Sequence, residues 1–256
     1  MRTRLAYSGV FLAFFLCATA MQWPAAWIAP WIDRASGGQW RLAATSGTVW
    51  NGAGILLVRT GNNAAWRNAQ SIRWQVRGNE LWSGRLAIDT TLEQGAARFV
   101  ATPGGIASEE FDFTLPATEI ASLLPGALGR YGWSGILRAH GAKFGCAWSP
   151  QACSGEVELL WNDAAVTEIP GAALGDYRLR LVGEGPVLRV DLTTLRGRLQ
   201  IAGTGEIADN GQLHFNGEAT AKDANAESLN TLLSTLGRPA GSGKYLIEYR
   251  ETGVSR

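Results

Sequence analysis

The chain has 256 residues, with 23 basic and 22 acidic side chains and a formal net charge of +1. So balanced a charge creates no strong field, and a nucleic-acid partner is not expected. At this length the chain could hold one large β domain or two small ones, and either could bury a substantial core.

An uncharged, apolar stretch of membrane-spanning length opens the chain. No charged residue lies between Arg4 and Asp33. The most apolar part, residues 5–21, would span roughly 25 Å as a helix, which is at the short end of what a bilayer core requires. The stretch therefore predicts a transmembrane signal anchor over residues 5–23. Cleavage as a signal peptide after Ala20 is the alternative, because small residues precede that point.

The residues that flank this stretch indicate its orientation. Arg2 and Arg4 precede it, so the positive-inside rule places residues 1–4 in the cytoplasm and everything after the anchor outside. A Trp- and Pro-rich segment follows over residues 24–39, and amphipathic indoles favour the headgroup level of a membrane. The sequence thus predicts an exported chain tethered to a membrane.

From about Trp40 onward, apolar and polar residues alternate with a period of two, which is typical of half-buried strands. Ile72, Trp74 and Val76, for example, alternate with charged or polar residues. Turn signals such as residues 209–211 (Asp-Asn-Gly) separate the runs. One apolar and one polar face per strand predicts an antiparallel sheet with one solvated side. So many strands should twist and curl into a long curved sheet, either partly rolled or an open barrel.

Two short helices are predicted among the strands. The weaker covers residues 118–124 and ends before a Pro-Gly pair. The stronger covers residues 226–236, where four leucines recur at helical spacing: Leu229, Leu232, Leu233 and Leu236. We expect this apolar stripe to cover one open end of the sheet. Because no linker divides the chain, the fold class is all-β, with one exported domain over residues 40–256.

Two of the three cysteines agree with export. Cys146 and Cys153 flank a short loop that contains a Ser-Pro turn signal. They predict a disulfide bond formed in an oxidising compartment, with free thiols as the alternative. A metal site is disfavoured, since two thiols without a nearby histidine cannot complete a tetrahedral site.

A Trp-polar-Gly triplet occurs three times, as Trp50-Asn51-Gly52, Trp82-Ser83-Gly84 and Trp133-Ser134-Gly135. Tryptophan is a large amphipathic filler, and glycine lets a strand bend or another backbone approach closely. We therefore expect the triplets to serve the core at bends of the sheet. Three aromatic residues that bind a partner are the alternative.

No constellation of residues points to catalysis. His140 and His214 fall on positions that a strand would show to solvent. Nucleophile-elbow, zinc-protease and phosphate-loop motifs are absent from the sequence. We therefore expect no enzyme, no catalytic residues, no cofactor and no metal. A periplasmic hydrolase would need a cluster that forms only in three dimensions.

Several short motifs, in this order after the anchor, resemble the N protein family of the bacterial type II secretion system. They are residues 46–52 (SGTVWNG), 72–74 (IRW), 80–86 (ELWSGRL), 133–135 (WSG), 232–239 (LLSTLGRP) and 243–245 (GKY). The resemblance implies a periplasmic β domain tethered to the inner membrane, an accessory component that assists export of folded proteins across the outer membrane. It implies no catalytic residues.

The resemblance leaves two physical routes to function. Unpaired backbone groups on the edge strands could pair with another inner-membrane or periplasmic secretion subunit. Alternatively, the apolar face of a curved sheet could accommodate an acyl chain, which would make the protein a lipid-binding or lipid-transfer protein. The first route is the main hypothesis and the second is its alternative.

Overall fold

The computed structural model describes residues 15, 18–59, 65–120, 132–148, 152–167, 173–209, 212–221, 227–241 and 243–250. Within these residues fifteen strands form one sheet, and every pairing between neighbours is antiparallel. The predicted all-β class is confirmed.

The strands, in chain order, are β1 (Trp40–Gly47), β2 (Asn51–Val58), β3 (Arg67–Val76), β4 (Leu86–Leu92), β5 (Gly95–Thr102), β6 (Gly105–Pro116), β7 (Trp133–Gly141), β8 (Phe144–Ala147), β9 (Cys153–Val166), β10 (Gly175–Gly185), β11 (Val187–Gly197), β12 (Leu199–Ile207), β13 (Leu213–Ala221), β14 (Arg238–Gly241) and β15 (Lys244–Arg250).

The sheet is a meander in which nearly every strand pairs with the next one along the chain. The short strand β8 is an insertion that pairs with β6 and β9, so β9 also lies beside β7. At the far end β15 pairs with β13, and β14 lies outside it. Tight turns, such as the two residues between β4 and β5, allow this antiparallel order because hairpins need only short connections.

Register gathers the apolar side chains of all these strands on one face. Leu159 of β9, for example, lies opposite Ala139 of β7 and Leu179 of β10. On the other face, Glu158 lies opposite His140 and Arg180. The predicted alternation, with one apolar and one solvated side, is confirmed. We call these two sides the apolar face and the polar face.

The sheet is open and irregular. Among the described strands β1 and β14 are the two ends of the order, and they do not pair with each other. Register shifts interrupt several ladders, among them β5–β6 between Ala97 and Phe99 and β7–β9 between Ser134 and Ile136. Such bulges bend and twist the strands that they interrupt, so the sheet does not lie flat.

The helix over Glu227–Leu236 covers one end of the apolar face, as the sequence predicted. The structure describes helix α1 (Ala29–Ala35), helix α2 (Ala117–Ile120) and helix α3 (Glu227–Leu236). Leu229, Leu232 and Leu233 of α3 are almost fully buried. They pack with Trp133 and Leu199, which belong to strands β7 and β12.

A second helical segment, which the sequence did not predict, covers the opposite end of the apolar face. A 3₁₀ turn (Ala25–Trp27) leads into α1. Ala25 is 1% exposed and forms a cluster with Leu42 and Trp74, against which Ile28 and Ile32 pack. The membrane-proximal segment over residues 24–39 thus contributes to the core.

Two sequence predictions lie largely outside the described residues. Most of the predicted anchor over residues 5–23 is among these, and so is the second half of the predicted helix over residues 118–124. Within the described part of the chain, the helices are too short or too polar to cross a bilayer.

Candidate interaction surfaces

The first triplet serves the core. Gly52 is buried at the start of β2, and a Cβ placed there would lie 2.4 Å from Cζ2 of Trp74. Trp74 is 8% exposed, and its Nε1 donates a hydrogen bond to the Val49 carbonyl oxygen at 3.1 Å. The neighbouring Trp50 is half-buried and donates from Nε1 to the Ala20 carbonyl oxygen at 2.8 Å. The core prediction is confirmed for Gly52, which makes room for another strand's indole.

The third triplet also serves the core. Trp133 is 8% exposed and meets Trp161 edge to face, with ring centroids 5.3 Å apart. Gly135 lies at a bulge with φ of 113°, and a Cβ there would lie 2.7 Å from Trp161 Nε1. That same Nε1 donates to the Ser134 carbonyl oxygen at 3.0 Å. The aromatic row continues to Tyr177, whose ring centroid lies 6.0 Å from that of Trp161.

The second triplet does not serve the core, and this part of the prediction was wrong. Trp82 lies in a 3₁₀ turn (Gly78–Ser83) between β3 and β4 and is 95% exposed. Its neighbour Leu81 is 41% exposed. Gly84 ends the turn with φ of 73°, a left-handed conformation that glycine adopts without strain. The turn therefore points an indole into solvent, which is typical of a contact residue.

The two edges of the sheet differ in how well they could accept another strand. Strand β14 has four residues, all exposed, and includes Pro239, which has no N–H to donate. Strand β1 is twice as long, although a register shift between Ala43 and Ser46 interrupts it, with φ of 47° at Ala44. Short length, proline and bulges all blunt edge strands. The regular half of β1 is thus the better template.

Between the ends that α1 and α3 cover, the apolar face has a middle section without a described helix. Its buried centre is Phe111 with Ala97 and Ala139, and Phe113, Val157 and Leu159 pack around it. Further apolar side chains continue the same face toward β13 and are partly exposed: Leu179, Leu181, Leu188, Leu192, Ile207, Leu213 and Phe215. The result is a continuous apolar strip.

Cys146 and Cys153 form a disulfide bond, as predicted. They are directly paired on β8 and β9, with a Cα–Cα distance of 4.0 Å. The bond adds a covalent link to the inserted strand β8, whose four residues pair with β6 and of which three also pair with β9.

Ion pairs form a chain across β4, β5 and β6 on the polar face. Asp89 accepts hydrogen bonds from Arg98 and Arg77, both at 2.6 Å. Arg98 also donates to Glu109, at 3.1 Å, and Arg85 reaches the same carboxylate at 3.3 Å. The hydrogen bond from Arg98 is the main reason why the pKa of Asp89 is lowered. These groups are solvent-screened, so they hold register more than they stabilise the fold.

Asp176 is a buried carboxylate at the start of β10. One of its oxygens accepts a hydrogen bond from the backbone N–H of Asp163 at 2.8 Å, and the other accepts from Arg196. The Arg196 hydrogen bond, followed by the backbone one, lowers the pKa of Asp176. Next to it, Tyr177 donates to the Leu199 carbonyl oxygen at 2.9 Å, and burial raises the pKa of this phenol. Both groups have structural partners.

An open groove of about 830 Å³ lies over β5, β6 and β8. Arg85, Glu109 and Lys143 line it, and the first two are paired with each other. Ser108 also lines the groove, and its hydroxyl donates to the Phe144 carbonyl oxygen at 3.1 Å. Its described lining contains no histidine. The arrangement supplies no nucleophile with a base, and the expectation of a non-enzyme stays a prediction.

His140 and His214 are both exposed on the polar face, as the sequence predicted. His140 lies between Asp112 of β6 and Glu158 of β9 in the register, and His214 lies opposite Glu206 and Arg250. The two histidines belong to separate strands, β7 and β13, with four strands between them in the sheet order.

A family model described as type II secretion system (T2SS), protein N, matches residues 38–248. The chain belongs to this family. The match begins just before β1 and ends within β15, so it spans the sheet described above. Comparison with curated proteins and with solved structures found no match. The resemblance drawn from short motifs is confirmed, and membership of the protein N family makes the protein a T2SS component that associates with other secretion subunits.

Proposed function

We propose that the protein is an accessory inner-membrane component of the T2SS that supports export of folded proteins from the periplasm across the outer membrane. Residues 5–23 anchor it, residues 1–4 lie in the cytoplasm, and the sheet lies in the periplasm. The family match over residues 38–248 carries this proposal. The Cys146–Cys153 bond supports it, since disulfides persist in oxidising compartments such as the periplasm.

Contact with a partner subunit uses strand β1. Trp40 to Ala43 pair with β2 in regular register, and no described strand pairs with the other side of β1. The N–H and carbonyl oxygen of Trp40 already bond the Ser36 hydroxyl, at 3.0 and 3.2 Å, so a partner strand would gain its main-chain hydrogen bonds beyond Trp40. The other edge, β14, is short and contains Pro239, so it offers less.

Photocrosslinking in the native host tests this contact. A photoreactive amino acid replaces Arg41, which is exposed on β1, and the matched control replaces Asn216, which is exposed on β13 between two paired strands. We expect an adduct with an inner-membrane or periplasmic secretion subunit from position 41 and none from position 216. Equal yields from both positions, or no secretion subunit in either adduct, would refute the β1 contact.

The anchor is tested by the size of the protein in the membrane fraction. An uncleaved chain that resists extraction with carbonate supports residues 5–23 as a membrane span. A mature N-terminus at Met21, identified by mass spectrometry, would instead show that the stretch is a cleaved signal peptide. The periplasmic place of the sheet is tested in parallel by protease treatment of spheroplasts, which should digest the domain.

The apolar strip favours a second candidate function, lipid binding or lipid transfer. Phe113, Val157 and Leu159 surround the buried centre of the strip, and no described helix packs over them. An acyl chain on this strip would bury apolar side chains that are now partly exposed, and burial of each methylene contributes about 0.8 kcal/mol.

Lipid extraction from the purified full chain tests the second candidate. Mass spectrometry should find a bound phospholipid in stoichiometric amount after detergent exchange, and Leu159→Glu should remove it. Thr193, which is exposed on the polar face of β11, gives the matched control Thr193→Glu, which should retain the lipid. Lipid at the same level in all three proteins would indicate carry-over with the anchor and would refute binding on the strip.

A further inference from the structure

Large apolar side chains are exposed together at one end of the sheet. Trp82 is 95% exposed, Met21 73%, Trp27 61%, Trp23 47% and Leu81 41%. We call these five residues the tryptophan patch. The rings of Trp23 and Trp27 stack with centroids 5.5 Å apart, so two of the indoles already form one apolar surface. Exposed apolar groups of this size at one end of a sheet mark an interaction site.

A chain of hydrogen bonds brings the members of the patch to the same end of the sheet. The Val76 N–H at the end of β3 donates to the Trp50 carbonyl oxygen at 2.7 Å, and Trp50 Nε1 donates to the Ala20 carbonyl oxygen at 2.8 Å. The Val49 N–H donates to the Trp23 carbonyl oxygen at 2.9 Å. The turn that holds Trp82 begins two residues after Val76.

The occupant of the patch follows from the chain that leaves the sheet at this end. Residues N-terminal to Ala20 are uncharged back to Arg4, and the backbone of Ala20 is fixed to Trp50 at the base of the sheet. A membrane span in this segment brings the lipid surface to the patch. Tryptophan favours the headgroup level, because its ring is apolar and its N–H is polar.

The charges near the patch do not oppose contact with lipid. Glu80, the acidic residue in the turn, lies 3.5 Å from the guanidinium of Arg85. Arg77, just before the turn, is paired with Asp89 at 2.6 Å. The carboxylate nearest Trp82 along the chain is therefore neutralised by a protein partner.

We propose that this end of the sheet rests on the surface of the membrane, with Trp82 and the stacked Trp23 and Trp27 in the headgroup layer. The inference rests on the membrane anchor of the proposed function and adds to it a second contact at Trp82, 59 residues after Trp23. Strand β4 rises from the Trp82 turn through Leu86–Leu92, which is about 20 Å at roughly 3.3 Å per residue. The opposite strand ends therefore stand clear of the lipid.

Fluorescence quenching on the full chain tests whether the Trp82 end of the sheet contacts the membrane. Cys17 is replaced by Ala, the disulfide is kept, and a single cysteine is placed at exposed Asn79 in the turn or at exposed Gln94 at the other end of β4. Each carries an environment-sensitive label, and the protein is reconstituted in phosphatidylethanolamine–phosphatidylglycerol vesicles that contain spin-labelled lipid. We expect emission from position 79 to fall by about twofold or more and emission from position 94 to stay unchanged.

A second substitution tests whether the quenching at position 79 depends on the indole of Trp82. Trp82→Glu, at a side chain that is almost fully exposed, should leave the fold intact and reverse most of the quenching at position 79. Flotation of the vesicles reports the anchor independently. A chain that floats with an unquenched label at position 79 would refute the membrane contact of the Trp82 turn but not the anchor. A chain that does not float overturns both, and quenching that persists in Trp82→Glu overturns the role of the indole.

Discussion

Gly52 lies against the indole of Trp74, so closely that a Cβ at position 52 would be 2.4 Å from Trp74 Cζ2. The backbone at Gly52 is not left-handed, and the requirement for glycine is therefore steric. The same Cβ would also meet the Thr48 and Ser46 carbonyl oxygens at 2.8 and 2.9 Å. The pair joins β2 to β3 at the end of the sheet where the N-terminal segment is attached.

Gly52→Ala should destabilise the domain by about 1–3 kcal/mol, because an added methyl group in a packed core forces its neighbours to move. Gly78→Ala is the matched control, since nothing lies within 4 Å of a Cβ there. Urea unfolding followed by fluorescence measures both. Equal midpoints for the two variants would contradict the packing of Gly52 against Trp74.

Trp133 and Trp82 begin two copies of the same Trp-Ser-Gly triplet, yet their replacement should have very different effects on stability. Trp133→Ala removes a buried ring that packs on Trp161, and we expect a loss of about 3–5 kcal/mol. Trp82→Ala removes an exposed ring and should change stability by no more than about 0.5 kcal/mol. Thermal unfolding of both variants checks this, and comparable losses would mean that the Trp82 turn is buried against the sheet.

Removal of the disulfide should loosen the inserted strand β8. The bond joins residues seven apart in sequence, and closure of so short a loop predicts a loss of about 2 kcal/mol in the double variant Cys146→Ser, Cys153→Ser. Denaturant unfolding measures the loss, with Cys17→Ser as the control. Alkylation of the native protein should label neither Cys146 nor Cys153 until a reductant is added, and free labelling of both would disprove the bond.

Asp176 should make stability depend on pH. Its folded pKa is lowered by Arg196 and the Asp163 N–H, so the stabilisation is present above the unfolded pKa of about 3.9 and is lost as pH falls through the folded value. Asp176→Asn should therefore cost about 1 kcal/mol at pH 7 and almost nothing at the acid end.

Urea midpoints from pH 7 down to the acid limit of folding measure this effect. The control is Asp112→Asn, because Asp112 pairs with Arg138 on the exposed polar face, where both side chains are about half exposed. We expect that control to change little at any pH. A constant gap between the wild-type protein and Asp176→Asn across the range would contradict the assigned role of Asp176.

The fold could be predicted from the sequence because the alternating apolar and polar residues lie on opposite faces of the paired strands. The apolar residues Ile72 and Trp74 lie on the apolar face, and the leucine stripe of α3 packs where a 3.6-residue period requires a partner. Helix α1 could not be predicted, since its seven residues include Pro30 and its apolar side chains continue the apolar composition of the anchor. Strand β8 has four residues, too few for a period of two to be recognised.

The role of each Trp-Gly triplet could be predicted only in part. Trp133 and Trp82 are each followed by Ser and Gly, yet Trp133 begins a strand and Trp82 lies inside a 3₁₀ turn. The difference arises from the neighbouring residues. Gly78 and Asn79, before Trp82, favour a turn, whereas alternating apolar and polar residues follow Trp133. Local sequence therefore specified the bend but not the side of the sheet to which the indole points.

A clean deletion in the native host, followed by fractionation, tests the secretion role most directly. Secreted enzymes are assayed in the medium and the periplasm, with a periplasmic marker as the control for leakage. We predict that these enzymes accumulate in the periplasm while the marker is retained, and that the full chain restores secretion. Normal secretion by the deletion strain, with the marker leaking into the medium or with sensitivity to detergent, would contradict the secretion role and favour lipid handling.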